Sequence, residues 1–135
     1  MSKKSYTVGQ LAQDTDIKPV TIRYYEKIGL LPEASRSASG YRMYSASDHS
    51  RLVFIRRSRS LGFSLDDIRE LLWLADRQQE SCAGVDAKVD EQLEQVRSRL
   101  SDLRAMEQEL ERLSKCCEGG VIMDCRIIET LSGET

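Results

Sequence analysis

The chain has 135 residues, 40% of them hydrophobic and 31% charged, with a formal net charge of -2 and four cysteines. No apolar run approaches the ~20 residues needed to cross a bilayer, and the opening MSKKSYTVGQ has no apolar core of a secretion signal, so a cytoplasmic protein without a membrane anchor is expected. The small net charge hides a division: residues 1–62 carry 11 Lys/Arg against 5 Asp/Glu, and residues 63–135 carry 9 against 17, which suggests that the first half meets a polyanion.

Thr7 followed by Gln10 has the spacing of a capping box ahead of Val8, Leu11 and Ala12, so a first short helix is expected there. Asp14-Thr15-Asp16 reads as a turn, and Lys18-Pro19 opens a second helix with proline at a permitted first position. That helix runs to about Lys27, buries Val20, Ile22 or Tyr25, and ends at Gly29. Two short helices around a tight turn form a helix-turn-helix pattern, a spacing that many helical hairpins share. After Leu30-Leu31-Pro32 a polar stretch leads to Tyr41-Arg42-Met43-Tyr44, which reads as a short strand paired with Leu30 and Leu31. The resulting hairpin carries Arg36 and Arg42 near its tip, where guanidinium groups can hold phosphates.

Ser47 is expected to cap a helix reaching Ser60, with Leu52, Val53, Phe54 and Ile55 inward and Arg51, Arg56, Arg57 and Arg59 largely outside. Gly62 stops it, and Ser64 with Asp67 repeats the capping-box spacing before Ile68, Leu71, Leu72 and Leu74. Trp73 falls within that apolar run and reads as a packing residue. His49, the only histidine, reads as an exposed helix residue with no second metal ligand at suitable spacing.

From Val85 to about Ser114 there is no proline, and apolar residues recur at Val85, Val89, Leu93, Val96, Leu100, Leu103, Leu110 and Leu113. Steps of three and four predict one amphipathic helix of ~30 residues, or roughly 45 Å at ~1.5 Å per residue. Cys82 precedes it, and Cys116, Cys117 and Cys125 follow. Within one straight chain Cys82 cannot reach Cys117. Two antiparallel copies would place Cys82 of one beside Cys117 and Cys125 of the other, a thiolate site built across a homodimer. A reducing compartment disfavours structural disulfides. A thiol enzyme needs a base beside its cysteine, and one distant histidine is a poor start, so no catalytic residue is expected.

The run TVGQLAQDTDIKPVTIRYYEKIGLL, then GYRMYS, then RLVFIRRSRSLGFSLDDIRELL, resembles the DNA-binding domain of MerR-family transcription regulators over residues 5–74. The long helix and cysteine-bearing tail resemble the metal-responsive branch, through about residue 132. The resemblance implies a mainly α fold: a winged helix-turn-helix domain (5–74) with a small β-hairpin wing, a linker (75–83) carrying Cys82, an antiparallel coiled-coil dimerisation helix (84–115), and a metal-binding loop with a short final helix (116–135). It also implies a homodimer on double-stranded promoter DNA that, when metal binds, distorts an over-long spacer so that RNA polymerase can engage. Carried over by motif, Lys18, Thr21, Arg23 and Tyr24 belong to the recognition helix and its entrance, and Arg36, Tyr41 and Arg42 to the wing.

The ligand set implied is Cys82, Cys117 and Cys125, with Cys116 as a further candidate that reads better as a helix-end residue. Thiolates are soft ligands, so mercury, lead, cadmium, zinc or monovalent copper fit and magnesium or calcium do not. Gly119-Gly120 gives the loop freedom to fold around an ion, and Ile127, Ile128 and Leu131 suggest a short cover. Copper-responsive relatives carry serine where this chain has Cys82, and a zinc-responsive relative uses a loop histidine that Glu118 to Asp124 lacks. Relatives responding to mercury, cadmium and lead use the matching trio. Hg(II) is therefore the first expectation, with Cd(II), Pb(II) or Zn(II) as alternatives. A thiol-redox or Cu(I)-responsive DNA-binding regulator is the competing reading.

Overall fold

The computed structural model describes residues 5–115, 120–122 and 125–133. It divides into two compact units, Met1–Lys88 and Val89–Thr135. The elements in chain order are β1 (Ser5–Tyr6), α1 (Val8–Thr15), α2 (Pro19–Lys27), β2 (Ser35–Arg36), β3 (Arg42–Ser45), α3 (Ala46–Ser60), α4 (Leu65–Ala75), α5 (Ala83–Ser114) and α6 (Arg126–Leu131). The strands form one antiparallel sheet in the order β1-β3-β2. Among the described residues no helix is long and apolar enough to cross a membrane.

The first unit is a helical domain whose starts are fixed by short-range chemistry. Thr7 and Gln10, Ser45 and Asp48, and Ser64 and Asp67 each form a reciprocal capping box, satisfying backbone donors that the first helical turn leaves without partners. The cap of α3 is therefore Ser45 and not Ser47, because only Ser45 has a carboxylate three residues on. Thr15 stays helical, with its hydroxyl donating to the Leu11 carbonyl at 2.7 Å, and the chain reverses one residue later at Asp16, whose φ is 57. The turn expected from Asp14 to Asp16 thus begins only at Asp16.

Leu30 and Leu31 do not form a strand. Both backbone N–H groups donate to the Tyr25 carbonyl, after Gly29 at φ 82 has ended α2, and both side chains enter the core. The partners of β3 are instead Ser35–Arg36 and Ser5–Tyr6. A pair of adjacent leucines gains more from full burial than from an edge strand that exposes one of the two. They join Leu11, Ile17, Ile22, Tyr25, Tyr44, Leu52, Ile55, Phe63, Ile68, Leu71 and Leu72 in one cluster.

Val85, in the first turn of α5, packs on the same core, and a Cβ at Gly84 would meet the Leu74 side chain at 3.2 Å. Lys88 donates to Asp67 at 3.3 Å and to Glu70 at 2.6 Å, so α4 and the start of α5 are joined by packing and charge. The Glu70 carboxylate chiefly holds the Lys88 ammonium above its ordinary range, while the Ser64 hydroxyl, ahead of Lys88, holds Asp67 below its own. In the second unit, Val89, Leu93, Val96, Leu100, Leu103, Met106 and Leu110 recur along α5 and remain 39% to 63% exposed, whereas Leu113 is buried.

Candidate nucleic-acid interface and thiol positions

Helix α2 buries Ile22 and Tyr25 and turns its other side outward. Val20, Arg23, Tyr24 and Lys27, at steps of three and four, share that outward face, and all four are exposed. Val20, read from sequence as a core candidate, is 70% exposed. The core takes only the stripe through Ile22 and Tyr25, and Val20 lies off it. Lys18 is the extended N-cap residue, accepting from Thr21 N at 2.9 Å and Ile22 N at 3.1 Å. Thr21 is half-buried, and the Tyr24 ring lies tilted against Tyr25 at 6.3 Å between centroids.

The hairpin of β2 and β3 stands beside this face. Its tip is closed by Ser37 N donating to Tyr41 O at 2.7 Å and by Gly40 at φ 85, and Arg36 Nη1 donates to the Gly40 carbonyl at 3.0 Å. Tyr41, at the tip, is 71% exposed. Arg36 and Arg42 are direct partners in the antiparallel register. Two like charges opposite one another disfavour the pair by themselves, an arrangement that an anion at the hairpin relieves.

A cleft of about 530 Å³ lies between α2 and the hairpin, lined by Arg23, Glu26, Lys27, Glu33, Ala34, Arg36 and Arg42. It gathers three of the seven DNA-contact residues expected from sequence and adds Lys27, which the sequence reading did not single out. Four cations against two carboxylates suit a phosphate backbone better than a neutral ligand. Behind it, burial and then the Glu26 carboxylate push the Tyr44 phenol up to about 12. Tyr44 is therefore a neutral structural group across the physiological range.

Other cations serve the scaffold. Arg51 is partly buried, not external: its Nε donates to the Leu30 carbonyl at 2.9 Å, and Arg69 Nη2 donates to the Ile28 carbonyl at 2.7 Å. These two fix the chain just beyond the C-terminus of α2, where carbonyls lack helical partners. Arg56 reaches Asp16 at 3.0 Å and braces the turn between α1 and α2. His49 is half-buried, stacked on Tyr6 at 5.1 Å with Asp14 3.8 Å away. Its ring thus supports the β1 edge and is not simply exposed. Trp73 is 51% exposed beneath the Arg77 guanidinium, which sits 3.4 Å from the ring centroid, so it is a surface platform and not a core residue.

Cys82 is exposed immediately before α5, and Cys125 is half-buried as the residue preceding α6. Cys116 and Cys117 lie outside the described residues. Among the described residues no three His, Cys, Asp or Glu side chains come together in a group that could hold a metal ion. The donors available at these positions are thiols, whose chemistry fits soft ions and not hard ones.

Two family models match the chain: MerR HTH family regulatory protein over residues 6–73, and MerR, DNA binding, over residues 49–113. The chain is 40% identical to the HTH-type transcriptional regulator ZntR of Escherichia coli, covering 93% of this chain and 92% of that protein. It is 39% identical to the mercuric resistance operon regulatory protein of Bacillus cereus, covering 93% and 96%. Among solved structures, the transcription regulator PbrR691 from Ralstonia metallidurans CH34 in complex with lead(II) is similar at a TM-score of 0.81 and 40% identity, covering 93% of this chain and 98% of that one.

Proposed function

Since the chain belongs to the MerR family of helix-turn-helix transcription regulators, we propose that it is a metal-responsive member that binds promoter DNA as a homodimer and answers to a soft ion held by Cys82, Cys117 and Cys125. The observation that carries this reading is the apolar stripe from Val89 to Leu110, exposed along α5 with a thiol before the helix and further thiols after it. A stripe at steps of three and four has the spacing of a coiled-coil seam. Antiparallel pairing of two such helices brings Cys82 of one subunit to the thiols following α5 in the other. Cys116 is not needed as a ligand in this scheme.

The protein's own groups divide the work. The outward face of α2 enters a major groove, with Lys18, Thr21, Arg23 and Tyr24 toward base edges and phosphates, while Arg36, Tyr41 and Arg42 of the hairpin hold the adjacent backbone. Cys82 of one subunit and Cys117 and Cys125 of the other would hold the ion, which would supply a soft Lewis-acid centre linking the two chains. The contact of α5 with α4 through Lys88 and Val85 carries that linkage toward the DNA-binding unit. To activate, the ion must bind the DNA-distorting conformation more tightly than the repressing one, and the distortion realigns an over-long spacer for RNA polymerase. Hg(II) is the preferred ion, followed by Cd(II), Pb(II) and Zn(II). The likeness to a mercuric resistance regulator and to a lead(II) complex supports a soft divalent ion. The site of action is the cytoplasm, where promoter DNA and reduced thiols coexist.

The test is a competition titration of the reduced protein with Hg(II), Cd(II), Pb(II), Zn(II) and Cu(I), followed by thiolate-to-metal absorption and by transcription in vitro. A divalent ion should bind at one or two per dimer, switch transcription on, and lose both effects in Cys82→Ser. Mixing Cys82→Ser subunits with Cys117→Ser/Cys125→Ser subunits should restore one site per mixed dimer. Response to Cu(I) alone, or an indispensable role for oxidation without metal, overturns the three-thiol reading.

A further inference from the structure

Glu26 lies on α2 between Arg23 and Lys27, yet its side chain is only 8% exposed. A carboxylate so placed needs partners, and besides the buried Tyr44 phenol it meets one group on each arm of the hairpin. One oxygen accepts from the Ala34 backbone N–H at 3.1 Å, at the foot of β2, and the other stands 3.9 Å from Arg42 Nη1, at the start of β3. The two oxygens thus engage both arms of the wing from the helix that faces the groove. The separation from Arg42 is that of an ion pair without a direct hydrogen bond, so a phosphate can take the guanidinium donors while Glu26 continues to hold its charge nearby. The same negative charge offsets the opposition of Arg36 and Arg42 across the β2–β3 register.

We infer that Glu26 is a positioning residue of the DNA interface: it clasps both arms of the wing to the recognition helix and sets where Arg42 is delivered, so that α2 and the wing read one spacing of groove and backbone. It rests on the promoter-binding reading above. The carboxylate lowers the net attraction of the cleft for any duplex and raises discrimination, because Arg42 is presented in one place and not swept to whichever phosphate is nearest.

The full-length reduced protein is used to select a 30-base-pair duplex from a random library, and affinities for that duplex and for an unselected one of equal length are measured from low to high salt. Glu26→Gln keeps an oxygen for the Ala34 N–H and removes the charge. It should lower the ratio of selected to unselected affinity about tenfold and steepen the salt slope on the unselected duplex by about 0.9, the increment of one added phosphate contact. In an Arg42→Gln background the same change should leave the ratio of selected to unselected affinity almost unchanged, whereas a purely structural carboxylate would alter that ratio equally in both backgrounds. Arg42→Gln alone, on the exposed wing, should flatten the slope by about 0.9, which keeps the inference testable should Glu26→Gln fail to fold. Equal effects of Glu26→Gln with and without Arg42, or an unchanged slope in Arg42→Gln, overturn the assignment of Glu26 alone. A wild-type protein that selects no duplex overturns the promoter-binding reading and this inference with it.

Discussion

Leu52 and Ile55 of α3 and Leu100 and Leu103 of α5 are similar side chains at the same helical spacing, yet the first two are fully buried and the last two are 45% and 58% exposed. Around α3 the neighbouring helices and β3 close over the apolar stripe within one chain. Along the Val89–Leu110 stretch the stripe repeats for several turns and the single chain leaves it open. Periodicity therefore says that a helix has an apolar face, and only the surrounding elements say whether that face is intramolecular core or interface. In the proposed dimer both faces do the same physical job, with different partners.

The sharpest way to break the comparison is to place charge on each stripe. Leu100→Glu/Leu103→Glu should weaken self-association by about a hundredfold or more, because two carboxylates would enter a seam from which water is excluded. Sedimentation equilibrium would show monomer at concentrations where the wild type is dimeric, and cross-subunit metal binding would vanish with the dimer. The first unit should keep its helical signal and its own near-ultraviolet bands. A double variant that still sediments as the wild type does would remove α5 from the interface.

Within the first unit, Leu52→Ala should cost about 2–5 kcal/mol, the range for deleting a fully buried leucine that its surroundings cannot refill. Urea unfolding at fixed protein concentration measures it. The matching Leu100→Ala change should lower stability in proportion to how much dimer is present, and its effect should fade on dilution. A cost for Leu52→Ala below about 1 kcal/mol would mean that the α3 core is loosely packed.

The difference between these two stripes also explains what could be read from the chain in one dimension. Local devices were legible: Thr7 with Gln10 and Ser64 with Asp67 cap the helices expected of them, Pro19 opens α2, Gly29 and Gly62 mark helix ends at positive φ, and the α5 period covers most of its length. Competition between two plausible local signals was less legible. Ser45 and Ser47 stand on either side of the first residue of α3, and only the reciprocal carboxylate of Asp48 decides for Ser45. Long-range choices were not legible at all. Nothing adjacent in sequence tells that Leu30 and Leu31 will fold inward while Ser35 and Arg36 pair with β3, or that Arg51 and Arg69 will spend their donors on the Leu30 and Ile28 carbonyls. Of the proposed interface, Arg23, Arg36 and Arg42 are named by motif, and the structure gathers them around one cleft. Glu26 was passed over because a lone glutamate on a short helix reads as a solvated charge until the hairpin closes over it.

The smallest effect is expected where α4 meets the start of α5, and its pH dependence makes it the most discriminating. Lys88→Met keeps the aliphatic stem against the protein and removes the ammonium shared by Asp67 and Glu70, so it should cost about 1 kcal/mol at neutral pH, the upper end for a partly solvated pair. The Lys88 pKa is raised on folding, so its stabilisation is complete below the ordinary lysine value of about 10.4 and is lost as pH rises through the folded value. The Asp67 pKa is lowered, so its contribution is complete above the ordinary aspartate value of about 3.9 and is lost as pH falls through the folded value. The difference between wild type and Lys88→Met should accordingly stay level from about pH 5 to pH 10 and shrink at both ends. The two limbs should differ in what survives the substitution. The alkaline limb depends on the ammonium itself and should disappear from the variant. The acid limb should persist in reduced form, because the Ser64 hydroxyl is the leading cause of the Asp67 shift and remains in place. Thermal unfolding across that pH range would measure both limbs, and loss of the entire acid limb in Lys88→Met would assign the Asp67 shift to the lysine instead of the cap.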